Sequence, residues 1–286
     1  MVDRQLLDNV SKISETYFFG GRHIAVSNDL VLYKLTARSD ENKQRNLQSG
    51  DYRFAGIERR YFSINAVSRG GNPNRLDKNL VFYPALIKGN TRIYISNGEQ
   101  TPDIVEKFVN LRVRGEHNFA RKSLEAVLKK WNYENDPPVF TARTGCVIGK
   151  KHAYLGIVLN SKGRDGVDAK SASWHLDLEN LEDGEFYELC VYDNEWDMTP
   201  KSSVPRPPVV LDNDVSSLRT FDQQGDVVDV VCEYLKTTHP DLRIGAFGWS
   251  RKTGDMAIIN SGDLYDVLDF KKGGCSIWNK RKTIKL

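Results

Sequence analysis

The turn signals between the apolar runs of this chain are too short for anything but hairpins. Runs rich in β-branched and aromatic residues at 23–26 and 30–36 are separated by Asn28-Asp29. Runs at 80–87 and 91–96 are separated by Lys88-Gly89-Asn90, and runs at 141–148 and 153–159 by Gly149-Lys150-Lys151. A parallel pair needs a crossover of a dozen or more residues, so connections this short dictate antiparallel pairing. Residues 244–250 and 255–260 repeat the pattern, 52–67 and 186–192 supply further strands, and Arg69-Gly70-Gly71-Asn72-Pro73-Asn74 is a turn cluster.

Helical spacing is confined to a few segments. Thr101-Pro102-Asp103 is a helix start, with a capping hydroxyl, a proline suited to the first turn and an acid at the positive end of the dipole. Ile104, Val105, Phe108 and Val109 continue it. Phe119, Leu124, Val127, Leu128 and Trp131 form a second apolar stripe, ended by Asn135-Asp136-Pro137-Pro138. Val227, Val230, Val231, Tyr234 and Leu235 form a third, and Leu6, Leu7, Val10 and Ile13 predict a short amphipathic helix over 1–16. Many hairpins with few, grouped helices define an α+β chain of largely antiparallel sheets. No linker interrupts it, so a single domain over 1–286 is expected. Residues 160–225 are read as an extended loop region, charged and Gly-containing up to 185 with a short apolar interruption around Trp174-His175-Leu176, and holding Pro200, Pro205, Pro207 and Pro208 further on.

Composition excludes several function classes. A net charge of +3, from 41 basic and 38 acidic residues, offers no basic field for nucleic acid. Cys146, Cys190, Cys232 and Cys275 are far apart, without a CxxC pair. His23, His117, His152, His175 and His239 are dispersed, so neither a structural zinc site nor a metal-dependent mechanism is expected. Asp3 and the lack of a long apolar run argue against a signal peptide or membrane span, and a cytoplasmic protein with reduced thiols is expected. No GxSxG, HExxH, GxxxxGK[ST] or GxGxxG motif occurs. Cys146 could be a nucleophile, but a cysteine inside an apolar strand is more often a small core residue.

Four polar stretches at strand ends or between elements carry what chemistry there is. They are Arg38-Ser39-Asp40-Glu41-Asn42-Lys43-Gln44-Arg45, Tyr83-Pro84-Ala85, Ser96-Asn97-Gly98-Glu99-Gln100-Thr101, and the segment from Tyr133-Glu134-Asn135-Asp136 to Thr141-Ala142-Arg143. Three arginines, two tyrosines, amides and hydroxyls can bind a phosphate and an amide-bearing ring, and can stabilise an oxyanion without a metal. Each stretch alone is as well explained as a solvated loop, an ordinary turn or, for Tyr83, a core residue.

In this order and at this spacing the four stretches resemble the motifs of the archaeal-type IMP cyclohydrolase family, and Tyr17 to Arg22 is similar to its Gly-Arg opening. The match is dense from about 17 to 160. The resemblance implies a four-layer αββα sandwich like that of the N-terminal-nucleophile hydrolases, although no Thr, Ser or Cys here is poised as an N-terminal nucleophile. It implies closure of 5-formamidoimidazole-4-carboxamide ribotide to IMP with loss of water, a purine ribotide as partner, and no cofactor or metal. It leaves room for a homo-oligomer. By resemblance and chemistry together, Arg38, Ser39, Arg45, Gly98, Thr101, Thr141 and Arg143 would bind substrate. Tyr83 or Tyr133 would relay a proton, Glu134 is the candidate base, and Asn97 would orient the carboxamide. The family pattern is broken at Gln44, Pro84 and Ala142, where it has Asn, Asn and Pro, and at Pro102, where it has Asp. Those departures keep open a non-catalytic purine-nucleotide-binding protein of the same family. An amide hydrolase on the same scaffold is a more distant alternative.

Overall fold

The computed structural model describes residues 21–37, 45–54, 60–68, 83–109, 111, 116–136, 140–160, 168–192, 208, 210–211, 214–215, 218–238, 242–261, 264–269 and 276–278. In chain order the strands are β1 (Arg22–Val26), β2 (Leu30–Thr36), β3 (Arg45–Arg53), β4 (Arg60–Ser68), β5 (Tyr83–Lys88) and β6 (Ile93–Ser96). Helices α1 (Thr101–Val109) and α2 (His117–Trp131) follow. Then come β7 (Arg143–Ile148), β8 (His152–Asn160), β9 (Ala169–Asp177), β10 (Glu185–Cys190), β11 (Val210–Leu211), β12 (Asp214–Val215) and β13 (Leu218–Asp222). Helix α3 (Val227–Lys236) precedes β14 (Arg243–Ser250), β15 (Asp255–Asn260), β16 (Leu264–Asp269) and β17 (Ser276–Trp278). None of the described helices is long and apolar enough to cross a membrane.

The chain divides into two compact units, one of Met1–Lys43, Asn180–Pro205 and Ser217–Leu286, the other of Gln44–Glu179 and Arg206–Ser216. The first contains an eight-stranded sheet in the order β13-β10-β1-β2-β14-β15-β16-β17, antiparallel throughout. Helix α3 packs on it through Val227, Val230, Val231, Tyr234 and Leu235, which meet Ala25, Leu32, Phe186, Ala246 and Ile259. Its start is capped by Asp226, whose carboxylate accepts from the N–H groups of Val228 at 2.9 Å and Asp229 at 3.0 Å. Its end is held by Arg243, which donates to the carbonyls of Lys236 and Thr238 where the helix dipole is negative.

The second unit is a seven-stranded meander, β3 through β9 in chain order, again antiparallel throughout. Helices α1 and α2 are inserted between the adjacent strands β6 and β7. Ile104, Val105, Phe108, Leu124, Val127 and Leu128 of the helices pack on Ile87, Tyr94, Val147, Tyr154 and Val158 of the sheet. Phe119, expected on the apolar stripe of α2, lies outside it and is 52% exposed; the buried stripe is Ala120, Ser123, Leu124, Val127 and Leu128.

Central strands in both units are buried on both faces. Neighbouring Ile24 and Ala25, or Leu155 and Tyr154, are both sequestered although they point to opposite sides. Such strands need continuous apolar runs rather than alternation, which is what LVLYKLT and HAYLGIVLN are. The sheet and helix expectations for the described hairpins hold. The segment read as loop does not: residues 169–177 form β9, paired along its whole length with β8. Its side chains are partly or fully exposed, as on a polar outer strand, and its apolar signal is limited to the short interruption at Trp174-His175-Leu176. Strands β11, β12, β13, β16 and β17 were also not read from the sequence, β3 was read only from Tyr52 on, and the helix expected at 1–16 lies outside the described residues. Pro84 sits in an inner strand that would ordinarily reject it. The pairing slips there from Ile64↔Leu86 to Asn65↔Pro84, so the proline occupies a bulge, one of the few places a sheet tolerates it.

Gly145 and Gly156 face each other across β7 and β8, directly beneath Leu124 and Leu128 of α2. A Cβ on Gly156 would stand 2.9 Å from Leu128 Cδ1, and one on Gly248 would run into Val231 Cγ2 of α3. Leu128 can swing its tip, whereas a helical valine is confined to essentially one rotamer. Gly248→Ala is therefore expected to lose about 2–3 kcal/mol, and Gly156→Ala about 1 kcal/mol, in urea unfolding. Equal losses would contradict the stiff-partner argument.

Candidate functional site

Antiparallel register gathers the expected site residues at one end of the seven-stranded sheet. Arg45 opens β3 opposite Ser68 at the end of β4; Ala66 pairs with Tyr83, which opens β5. Ser96 ends β6 opposite Gly145, so Asn97 and Gly98 leave the sheet where Arg143 enters it as the first residue of β7. Thr101 starts α1 from the same end, and Tyr133, Glu134 and Thr141 lie between α2 and β7. Arg38 and Ser39, the remaining expected ligands, and Gln44 lie outside the described residues.

Two of the four polar stretches interlock through buried hydrogen bonds. The Asn97 Oδ1 accepts from the Thr144 N–H at 2.8 Å and from Gln100 Nε2 at 2.8 Å, and its Nδ2 donates to the Ala142 carbonyl at 2.7 Å. Gln100 in turn accepts from Arg143 Nη1 at 3.0 Å and donates to the Thr144 carbonyl at 3.2 Å. Asn97 and Gln100 are fully buried and Arg143 nearly so. The guanidinium also lies 4.0 Å from Glu134 Oε1 and 5.3 Å from the ring centre of Trp131. Because Asn97 bonds to the backbone carbonyl of residue 142, Ala142 serves there as well as any other residue would.

Gly98 is explained by this chain of contacts. A Cβ there would stand 2.6 Å from Gln100 Oε1 and 2.8 Å from Arg143 Nη1, on top of the bond that orients the guanidinium. Thr101, read as a helix cap, is buried; its hydroxyl is 2.5 Å from that of Ser96 and donates to the Gly98 carbonyl at 3.2 Å. Pro102 follows inside the first turn of α1, where its missing N–H is harmless. Thr141 is gripped by Asp136, whose two carboxylate oxygens accept from its N–H and its hydroxyl at 2.7 Å each, while Glu134 N–H bonds the Thr141 carbonyl at 2.8 Å. Tyr133 rests edge-on against Phe140, which adopts φ 51°. Gln100 and Asp136 lie in the polar stretches but were assigned no role, and Trp131 and Thr144 were not expected at the site. Gln100 could have been assigned one, as an amide three residues after Asn97 in a turn that opens a helix.

Cys146 is fully buried, and desolvation pushes its thiol far above the ordinary range. That is the environment of a core cysteine rather than of a nucleophile.

Two clusters among the described residues could in principle hold a metal ion. In the first unit His23 Nδ1 lies 2.9 Å from both Glu188 Oε1 and Cys190 Sγ, and Tyr234 donates to Glu188 Oε1 at 2.5 Å. Ligands sharing one zinc stand roughly 3.3–3.7 Å apart, so this tighter, fully buried group is a hydrogen-bonded core network. In the second unit His117, His152 and His175 converge, which their sequence positions did not suggest. Burial, then the neighbouring His117 and His152, hold His175 below the usual histidine range.

The asparagine-glycine turn, Arg143 and the tyrosine-glutamate loop thus meet at one end of the seven-stranded sheet. The family model described as IMP cyclohydrolase-like protein matches residues 19–240, and the chain belongs to the IMP cyclohydrolase family. No curated protein matches it.

Asn97→Ala would leave the Thr144 N–H and the Ala142 carbonyl without these partners, at a cost of about 2–4 kcal/mol in urea unfolding. A loss under about 0.5 kcal/mol would show that water replaces the amide. Peptide mapping after iodoacetamide treatment of the native protein at mildly alkaline pH should find Cys146 unmodified until denaturant is added.

Proposed function

We propose that the protein closes 5-formamidoimidazole-4-carboxamide ribotide to IMP at the end of the seven-stranded sheet where Arg45, Tyr83, Asn97 and Arg143 lie. The observation that carries this reading is the interlocking of Asn97-Gly98-Glu99-Gln100 with Arg143 and Glu134, which holds an anion-recognising group in fixed geometry. In the reaction the carboxamide nitrogen bonds to the formyl carbon and passes one proton to the formyl oxygen. Dehydration then removes that hydroxyl with the proton of the formamide nitrogen. Both reacting groups belong to one molecule, so holding the near-attack conformer is the main task, and a rigid wall suits it.

Arg45 and Arg143 would take the phosphate and carbonyl oxygens, with Gly98, Thr101 and Thr141 shaping the wall, and the family resemblance adds Arg38 and Ser39 as expected substrate ligands. Glu134 beside Arg143 would receive the carboxamide proton, and Tyr83 or Tyr133 would steady the tetrahedral oxyanion or return the proton. The hydrogen bonds of Asn97 suit a positioning role, exerted through Gln100 on Arg143. The family resemblance also implies the four-layer αββα sandwich, and sheets buried on both faces with helices of their own support it. A cytoplasmic setting with a purine ribotide as ligand belongs to the same proposal.

A second reading is a purine-nucleotide-binding relative without turnover, favoured by proline at 84 and 102 where the family pattern has polar residues. The two separate in one assay. Purified protein with the formamido ribotide should give IMP, and Arg143→Lys, which loses the planar fork, should lower kcat/KM by about 100-fold. No IMP at micromolar enzyme would overturn the catalytic reading, and saturable ribotide binding in the same sample would favour the second.

A further inference from the structure

We propose that His117, His152 and His175 form a binding site for a divalent transition-metal ion of the zinc class. The three imidazoles come from three elements: His117 is the first residue of α2, His152 the first of β8, and His175 lies on β9 opposite Tyr154. One ring nitrogen from each lies within 4.8 Å of the others. His175 Nε2 and His152 Nδ1 are 3.2 Å apart. Tetrahedral zinc with bonds of about 2.0–2.1 Å places its ligand nitrogens roughly 3.4 Å apart, so this hydrogen-bonded pair has to give up its shared proton and open by only roughly 0.2 Å to hold one ion. Imidazole nitrogen is the donor that zinc, nickel, cobalt and copper share, and hard cations such as magnesium and calcium do not favour it.

The surroundings supply what a metal site needs beyond three nitrogens. The Asp177 carboxylate lies 3.9 Å from His152 Nδ1, near enough to complete the set or to orient a bound water. His117 Nδ1 is 3.0 Å from the Tyr154 hydroxyl, a bond of the kind that fixes which ring nitrogen faces an ion. All three histidines are partly exposed, so an ion has a way in.

Simple ring stacking is the competing account. His117 and His175 lie parallel, 9° apart with centres at 3.9 Å, and parallel rings do not aim their in-plane lone pairs at one point. Coordination therefore requires the His117 ring to turn, which its partly exposed position at the start of a helix allows. The positive end of the α2 dipole, where His117 sits, and nearby Arg121 oppose a cation, but both are small against metal–imidazole bonds. Three imidazoles from three elements, with a carboxylate beside them, are more than stacking requires.

His152 opens β8 and Asp177 closes β9, whereas Arg143, which opens β7, is paired with Val158 near the far end of β8. The cluster is thus at the opposite end of the sheet from the anion-binding wall. An ion here would pin the start of α2 to the β8–β9 hairpin. The other end of the same helix carries Trp131 against Arg143.

The test is cobalt and zinc titration of the metal-stripped full chain, free of any polyhistidine tag. One equivalent should bind, with the visible absorption of low-coordinate cobalt, and saturating zinc should raise the thermal midpoint reversibly to chelator. His152→Ala and His175→Gln should each weaken binding by at least about 100-fold, and Asp177→Asn by about 10-fold, with metal-free thermal midpoints as controls for folding. No saturable binding, or unchanged affinity in both histidine variants, would overturn the proposal.

Discussion

The side-chain amide of Asn97 is the contact on which the candidate site depends. It is buried, and its oxygen and nitrogen together satisfy a backbone N–H and a backbone carbonyl at the entrance to β7. The same oxygen holds Gln100, and Gln100 holds Arg143. In a water-poor setting such a chain is worth most when complete, because every missing partner leaves a desolvated polar group. Gly98 has no side chain because this chain of bonds passes over it. Orientation of the guanidinium is thus a consequence of how β6 ends and β7 begins.

The meander makes that geometry possible. With neighbouring strands antiparallel and in chain order, alternate strand starts and ends fall at the same edge of the sheet, so residues far apart in sequence are brought to one end. Arg45, Tyr83, Asn97 and Arg143 are gathered this way. The two-helix insertion between β6 and β7 does not disturb the pairing. Instead it returns the chain to the same edge, carrying Trp131 and Glu134 beside Arg143. The helices can lie close to the sheet because Gly145 and Gly156 face them.

How much of this the residues announced depended on whether the signal was local. Hairpins such as that at Asn28-Asp29 were legible because turn chemistry and apolar runs are written in adjacent residues. Strand β9 was not, because an outer strand of half-exposed Ser, Lys and His side chains shows only the short apolar interruption at Trp174-His175-Leu176. The ordered polar stretches fall together at one end of the sheet, but the contacts of Gln100 became visible only with its partners on either side. The histidine cluster was invisible for the same reason: its members are distant in sequence, and only the α2 and β8–β9 packing joins them. Pro84 was legible as a departure from the family pattern, and only the pairing shows the bulge at Asn65 that accommodates it.

The central claim is that this end of the sheet recognises a purine ribotide through its phosphate and its ring together. Calorimetric titration of the full chain with IMP and with inosine tests it most directly. IMP should bind with micromolar or tighter affinity and inosine at least about 100-fold more weakly, since the arginines lose their anion. Equal affinities for the two, or no binding of either, would contradict the account.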